Sequence, residues 1–184
     1  MDERLVAFED KMKKSLHNLE EEYAGIRAGR ANPHVLDKLR VDYYGTPTPV
    51  NQVAKVSVPE PRMIVIQPWE KNLIHDIELA IMKSDLGLSP NSDGTAIRLS
   101  IPQLTQERRQ ELVKAVGKKA EEAKVAIRNI RRDGNDSIKK LEKSKDITED
   151  ESKKGQEDMQ KLVDKYIKLV DSLKEDKDKE IMEI

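Results

Sequence analysis

The chain has 184 residues, of which 38% are charged and only 3% aromatic, and its formal net charge is −1. That composition fits long solvated helices with thin apolar seams rather than a large aromatic core, and it excludes a uniform polycation. The lack of cysteine excludes disulfide frameworks, cysteine-ligated clusters and thiol nucleophiles, and is compatible with a reducing compartment.

The first residues, Met1-Asp2-Glu3-Arg4, lack a basic region followed by an apolar run. No apolar run approaches the ~20 residues that a bilayer requires. The expectation is a cytoplasmic protein with no membrane association.

Residues 2–29 place Leu5, Phe8, Met12, Leu16, Leu19, Tyr23 and Ile26 at steps of three and four, the seam of a helix that meets partner helices. Asn32-Pro33 ends that pattern, because proline disfavours helical geometry at the residue before it. Residues 31–104 hold all eight prolines and change character. Leu39–Tyr43 alternates with period two, and Gly45-Thr46-Pro47-Thr48-Pro49 forces a turn or an extended elbow. Val53, Val56 and Val58 predict a second strand, Met63–Ile66 a third, and Ile97, Leu99 and Ile101 a fourth. Between the last two, Leu73, Ile74, Ile77, Ala80 and Ile81 predict one amphipathic helix over 71–84, followed by a loop at Gly87 and Ser89-Pro90-Asn91.

From Thr105, an N-cap candidate, the helical period returns through Leu112, Val116, Ala120, Ala123, Ile127, Ile130, Gly134, Ile138 and Leu141. Residues 146–150 break it, and Thr148 with Glu151 reads as a capping box for a last helix. That helix carries Met159, Leu162, Val163, Tyr166, Leu169, Val170 and Leu173 as its stripe. The helical segments bury their seams only together. The fold class expected is therefore α+β: an antiparallel three-helix bundle from residues 1–30 and 105–184, with a small β/α/β domain, 31–104, inserted into it. The two chain crossings, with Ala31 and Asn32 on one and Gln103 and Leu104 on the other, make a natural hinge.

Charge is uneven along the helices. Residues 105–145 carry 13 basic and 7 acidic side chains, and residues 146–184 carry 8 basic and 13 acidic. Within the first of these, Arg128, Arg131 and Arg132 stand at i,i+3 and i,i+4 spacing, so their guanidiniums leave one helix face together. Val125, Ile127 and Ile130 point elsewhere, into partners. Arginine used three times in a lysine-rich chain suits bidentate recognition of phosphates, whereas the plainer reading is a solvated face paired with Glu121, Glu122, Asp133 or Asp136. Arg27, Gly29 and Arg30 fit a helix C-terminus, where cations complement the dipole and glycine closes the turn; the same arginines suit a phosphate backbone. Arg108 and Arg109 oppose the dipole at the start of their helix, which points to a compensating use.

Nothing points to catalysis. His17, His34 and His75 have no spacing that makes a metal site, and no phosphate loop, nucleophile elbow or acid–base pair stands out. Tyr43, Tyr44 and Trp69 suit stacking on bases, but three aromatics in a β-rich domain are more often core, so they are expected in the core of the inserted domain.

Four runs together carry a resemblance over essentially the whole chain: Arg27-Ala28-Gly29-Arg30-Ala31, Tyr43-Tyr44-Gly45-Thr46-Pro47-Thr48-Pro49, Ser84-Asp85-Leu86-Gly87-Leu88 and Arg128-Asn129-Ile130-Arg131-Arg132-Asp133. They closely resemble the bacterial ribosome recycling factor family. The resemblance implies an L-shaped protein with a flexible two-stranded hinge and no active site or cofactor. It implies binding to the post-termination ribosome and, with elongation factor G and GTP, separation of the subunits with release of mRNA and tRNA. Carried over by position, it assigns contact with large-subunit rRNA to Arg109, Arg128 and Arg131, and further to Arg132, Arg27 and Arg30. A bundle that closes its own seams favours a monomer. The alternative is a helical scaffold that binds proteins through its acidic last helix.

Overall fold

The computed structural model describes residues 3–26 and 28–183; Arg27 lies outside them. The chain divides into two compact units, one made of the chain up to Ala28 and from Thr105 onward, the other Gly29–Leu104.

The first unit is built from α1 (Val6–Ala24), preceded by a 3-10 turn Glu3–Leu5, and from α4 (Gln106–Lys143) and α5 (Glu149–Met182). At ~1.5 Å per residue, α4 is about 57 Å long. Both long helices start where their caps dictate. The Thr105 hydroxyl accepts from the Arg108 amide at 3.1 Å. Thr148 and Glu151 cap each other's backbone amides, so the orphan donors of the first turn are satisfied. Tyr23 near the end of α1 reaches Val116 early in α4, and Met159 early in α5 lies against Gly134 late in α4. Helix α4 thus runs against both of its neighbours. The core holds Leu5, Met12, Leu19, Val116, Ile127, Met159, Val163, Tyr166 and Val170, as the seams require.

Several details depart from the expected pattern. Helix α1 stops at Ala24, so Gly29 does not close it. Gly29 instead takes a left-handed φ of +75° in the connection, where a Cβ would stand 3.0 Å from the Leu104 Cγ. Val125 is 46% exposed, Ile130 is half-buried, and Leu169 lies 40% exposed outside the stripe. Lys177 and Ile181 are buried further along α5. Glu9 is 6% exposed and accepts from the Tyr166 hydroxyl at 3.1 Å and from Lys165 Nζ at 3.3 Å. Its position completes the steps 5, 9, 12, 16, 19, 23, a signal that apolar residues alone conceal.

The second unit pairs β1 (Arg40–Tyr43) with β2 (Thr46–Pro49) and builds an antiparallel sheet in the order β3-β4-β6-β5 from β3 (Ala54–Glu60), β4 (Met63–Pro68), β5 (Pro90–Ser92) and β6 (Ile97–Ser100). Helix α3 (Leu73–Lys83) brings Leu73, Ile74, Ile77 and Ile81 to the core formed by Ile64, Ile66, Ile97 and Leu99. A short helical turn α2 (Val50–Val53) takes Val53 out of the expected strand, and Pro90-Asn91, expected as loop, forms β5 against β6. Proline is tolerated at that place because β5 is an edge strand.

Candidate nucleic-acid interface

Helix α4 carries the arginines in different states. Arg128 is exposed, and its Nη1 donates to Glu121 Oε1 at 3.1 Å, two helical turns back. Arg132 is exposed and forms no hydrogen bond or ion pair among the described residues. Arg131 is half-buried and donates from Nη1 to Gln160 Oε1 of α5 at 2.9 Å. Gln160 is in turn held by Asp164 at 2.9 Å. Of the four carboxylates near enough in sequence to pair with the row, Glu121 takes part. Exposed pairs of this kind contribute little to stability, so neither Arg128 nor Arg132 has a structural duty that explains its identity.

Arg109 is different. It is 8% exposed, and its Nη1 donates to the Met182 carbonyl at 3.1 Å. The cation that opposes the dipole of α4 thereby serves the C-terminal end of α5, where positive charge is favoured. Arg108 pairs with Glu111 at 2.8 Å. Arg30 is exposed, six residues beyond the last helical residue of α1.

The face has no acidic residue between Arg128 and Arg132. Cross-helix pairs such as Lys124–Asp171 and Lys119–Glu22 hold the acidic side chains of neighbouring helices to other lysines. What remains on α4 is a rigid row of guanidiniums suited to phosphate oxygens.

Ala31, Asn32, Gln103 and Leu104 all fall in the second unit. The Ala31 amide donates to the Pro61 carbonyl at 2.7 Å, and the Asn32 side chain accepts from the His34 amide at 3.0 Å.

The aromatic expectation is corrected. Tyr44 is 76% and Trp69 68% exposed, while Tyr43 is half-buried. Tyr44 occupies a hairpin turn and Trp69 the bend just past β4, outside the paired strands that cover the core. Among the described residues no three histidine, aspartate or glutamate side chains cluster to hold a metal ion. Among them, too, no helix is long and apolar enough to cross a membrane.

Comparison with known proteins gives one answer. The sequence model of the family "Ribosome recycling factor" matches residues 19–182. The ribosome-recycling factor of Lachnoclostridium phytofermentans is 61% identical over all of both chains. That of Agathobacter rectalis is 62% identical over all of both chains. A solution structure of the ribosome recycling factor superposes with a TM-score of 0.75 at 41% identity, covering all of both chains. Models of the T. thermophilus ribosome recycling factor and E. coli elongation factor G bound to the E. coli post-termination complex supply a further likeness, with a TM-score of 0.61 at 48% identity over 98% of this chain and 97% of that one. A match that runs through α1, the inserted unit, α4 and α5 leaves no segment to another origin: the chain belongs to the ribosome recycling factor family.

Proposed function

We propose that this protein binds the post-termination ribosome in the cytoplasm and, with elongation factor G and GTP, separates the subunits so that mRNA and tRNA are released. The observation that carries the reading is its membership of the family over nearly its full length, joined to a row of arginines on one rigid helix of which Arg128 and Arg132 are exposed. The relative bound beside elongation factor G on a post-termination complex supports the same partners here.

The protein acts mechanically and has no active site of its own; the partner GTPase supplies the energy. Arg128, Arg131 and Arg132 grip large-subunit rRNA, with Arg109, Arg30 and Arg27 as further contacts. The bundle is the arm that stays on the rRNA. The hinge at Ala31, Asn32, Gln103 and Leu104 lets the inserted domain move while the arm holds. The support is positional: the crossings between the two units lie beside these residues. A monomer suffices, since the bundle buries its own seams.

The test is subunit splitting followed by light scattering on post-termination complexes with elongation factor G and GTP. Wild type splits them; Arg128→Ala/Arg131→Ala loses splitting and binding with an unchanged melting temperature. Affinity falls with salt at a log–log slope of roughly −0.7 to −0.9 per phosphate neutralised. Binding that is independent of salt and of both arginines would return the acidic scaffold reading.

A further inference from the structure

The inserted unit displays a second chemistry that the arginine row does not use. A pocket of about 290 Å³ is lined by Tyr43, Gln52, Val53, Trp69, Glu70 and Leu73 among others. Glu70 is its single charged lining group and is half-buried. One carboxylate oxygen accepts from the Tyr43 hydroxyl at 2.8 Å, the other from the Tyr44 hydroxyl at 2.8 Å. Among the described residues no cation pairs with it.

We propose that Trp69, Tyr43 and Glu70 form a receptor for an arginine side chain presented by a protein partner. A carboxylate offers about four acceptor positions, and the two phenols occupy one on each oxygen. One position per oxygen is left, so each oxygen can still accept an N–H of a guanidinium. The planar cation also stacks on aromatic faces, best on tryptophan. Trp69 supplies such a surface beside the carboxylate, and folding has left it in water.

The rings are fixed in advance. Tyr43 and Tyr44 meet edge to face with centroids 4.7 Å apart. Tyr44 sits at φ 49°, a conformation that side-chain-bearing residues rarely adopt, at the first central position of the Tyr44-Gly45 hairpin turn. A strained backbone that holds a large exposed ring is costly unless the ring is used, and prior ordering lowers the cost of binding.

A structural role alone accounts for less. Glu70 precedes α3, where a carboxylate complements the dipole, and its bonds to the phenols close the hairpin against that helix. Neither requires an exposed tryptophan beside a carboxylate with no cation. A nucleic-acid base would stack on Trp69 equally well, but its phosphates would meet the one negative charge of the pocket. The surface therefore favours a basic protein segment. The inference stands on the inserted unit alone and does not depend on the arginines of α4.

Trp69 is the only tryptophan of the chain, so its emission reports directly on the pocket. The experiment titrates the full-length protein with the blocked pentapeptide Gly-Gly-Arg-Gly-Gly, with its citrulline counterpart of the same shape and no charge, and with oligouridine. The expected result is a saturable change with the arginine peptide, weakened roughly tenfold or more by citrulline or by Glu70→Gln. The citrulline arm uses wild type alone, so it decides even if Glu70→Gln misfolds. Absence of saturation with the arginine peptide at tens of millimolar, or an equal response to citrulline, overturns the proposal. Stronger binding of oligouridine would replace it with base stacking.

Discussion

Arg109 in the first turns of α4 donates to the main-chain carbonyl of Met182 in the last turn of α5, at 3.1 Å. The bond spans the two ends of the chain's longest helices and satisfies a carbonyl that α5 itself cannot reach. Arg109→Ala therefore removes a charged donor from a buried place and is expected to cost about 1.5–3 kcal/mol. Thermal denaturation checks it: Arg109→Ala melts several degrees lower, whereas Arg128→Ala melts like wild type. Equal melting of both would make Arg109 a surface residue in energetic terms.

The bundle seam is graded, and substitution should report the grade. Ile127 is fully buried and Ile130 half-buried. Ile127→Asp places an unpaired charge in the core and abolishes folding, at a cost of several kcal/mol. Ile130→Asp lets the carboxylate turn toward water and leaves a folded but weakened protein. Circular dichroism of the two variants distinguishes them; loss of helix in Ile130→Asp alone would invert the seam.

Alkaline pH should loosen the bundle. Burial pushes the Tyr23 phenol up to about 12, with the charges of Asp178 and Glu22 adding to it. Burial also raises Tyr166 to about 12, with the hydrogen bond to Glu9 in support. An unfolded tyrosine ionises near 10. The folded pKa is the higher, so this contribution is complete below pH 10 and is lost as pH rises through about 12. Urea denaturation from about pH 9 to about pH 12 should show stability falling across that window. The fall should be shallower in Tyr23→Phe/Tyr166→Phe; an unchanged slope would place the loss in other groups.

The proposed hinge makes its own prediction. Gln103→Pro fixes φ near −65° at one crossing and stiffens the connection. Ribosome binding should persist, because this crossing carries none of the arginines proposed to grip rRNA. Subunit splitting with elongation factor G should fall. Parallel loss of binding and splitting would mean that the crossing shapes the interface rather than permitting motion.

Whether a residue's role is legible in the sequence follows from what that residue faces. Leu5, Met12, Leu19, Val116, Ile127, Met159 and Val163 are readable because a long helix repeats its environment, so period alone assigns them to the core. The caps at Thr105 and Thr148 are readable because they are local chemistry. Gly29 is not, since a glycine after a helical pattern suits several turns and the close approach of Leu104 decides its role. Glu9 carries no local sign of burial because its partners, Tyr166 and Lys165, lie over 150 residues away. Spacing places Arg128, Arg131 and Arg132 on one helix, but their division into exposed and half-buried depends on Gln160 of α5.

The family, the three helical seams, the proline-rich insertion and the arginine row are written in the order of the amino acids, because periodicity, capping and motif order are properties of neighbouring residues. Three-dimensional packing alone settles that Arg109 closes the end of α5, that Glu9 is buried, and that Trp69 and Tyr44 stay in water around Glu70. Those roles arise where distant segments meet, and burial and hydrogen-bond partners across such distances have no signature in local pattern.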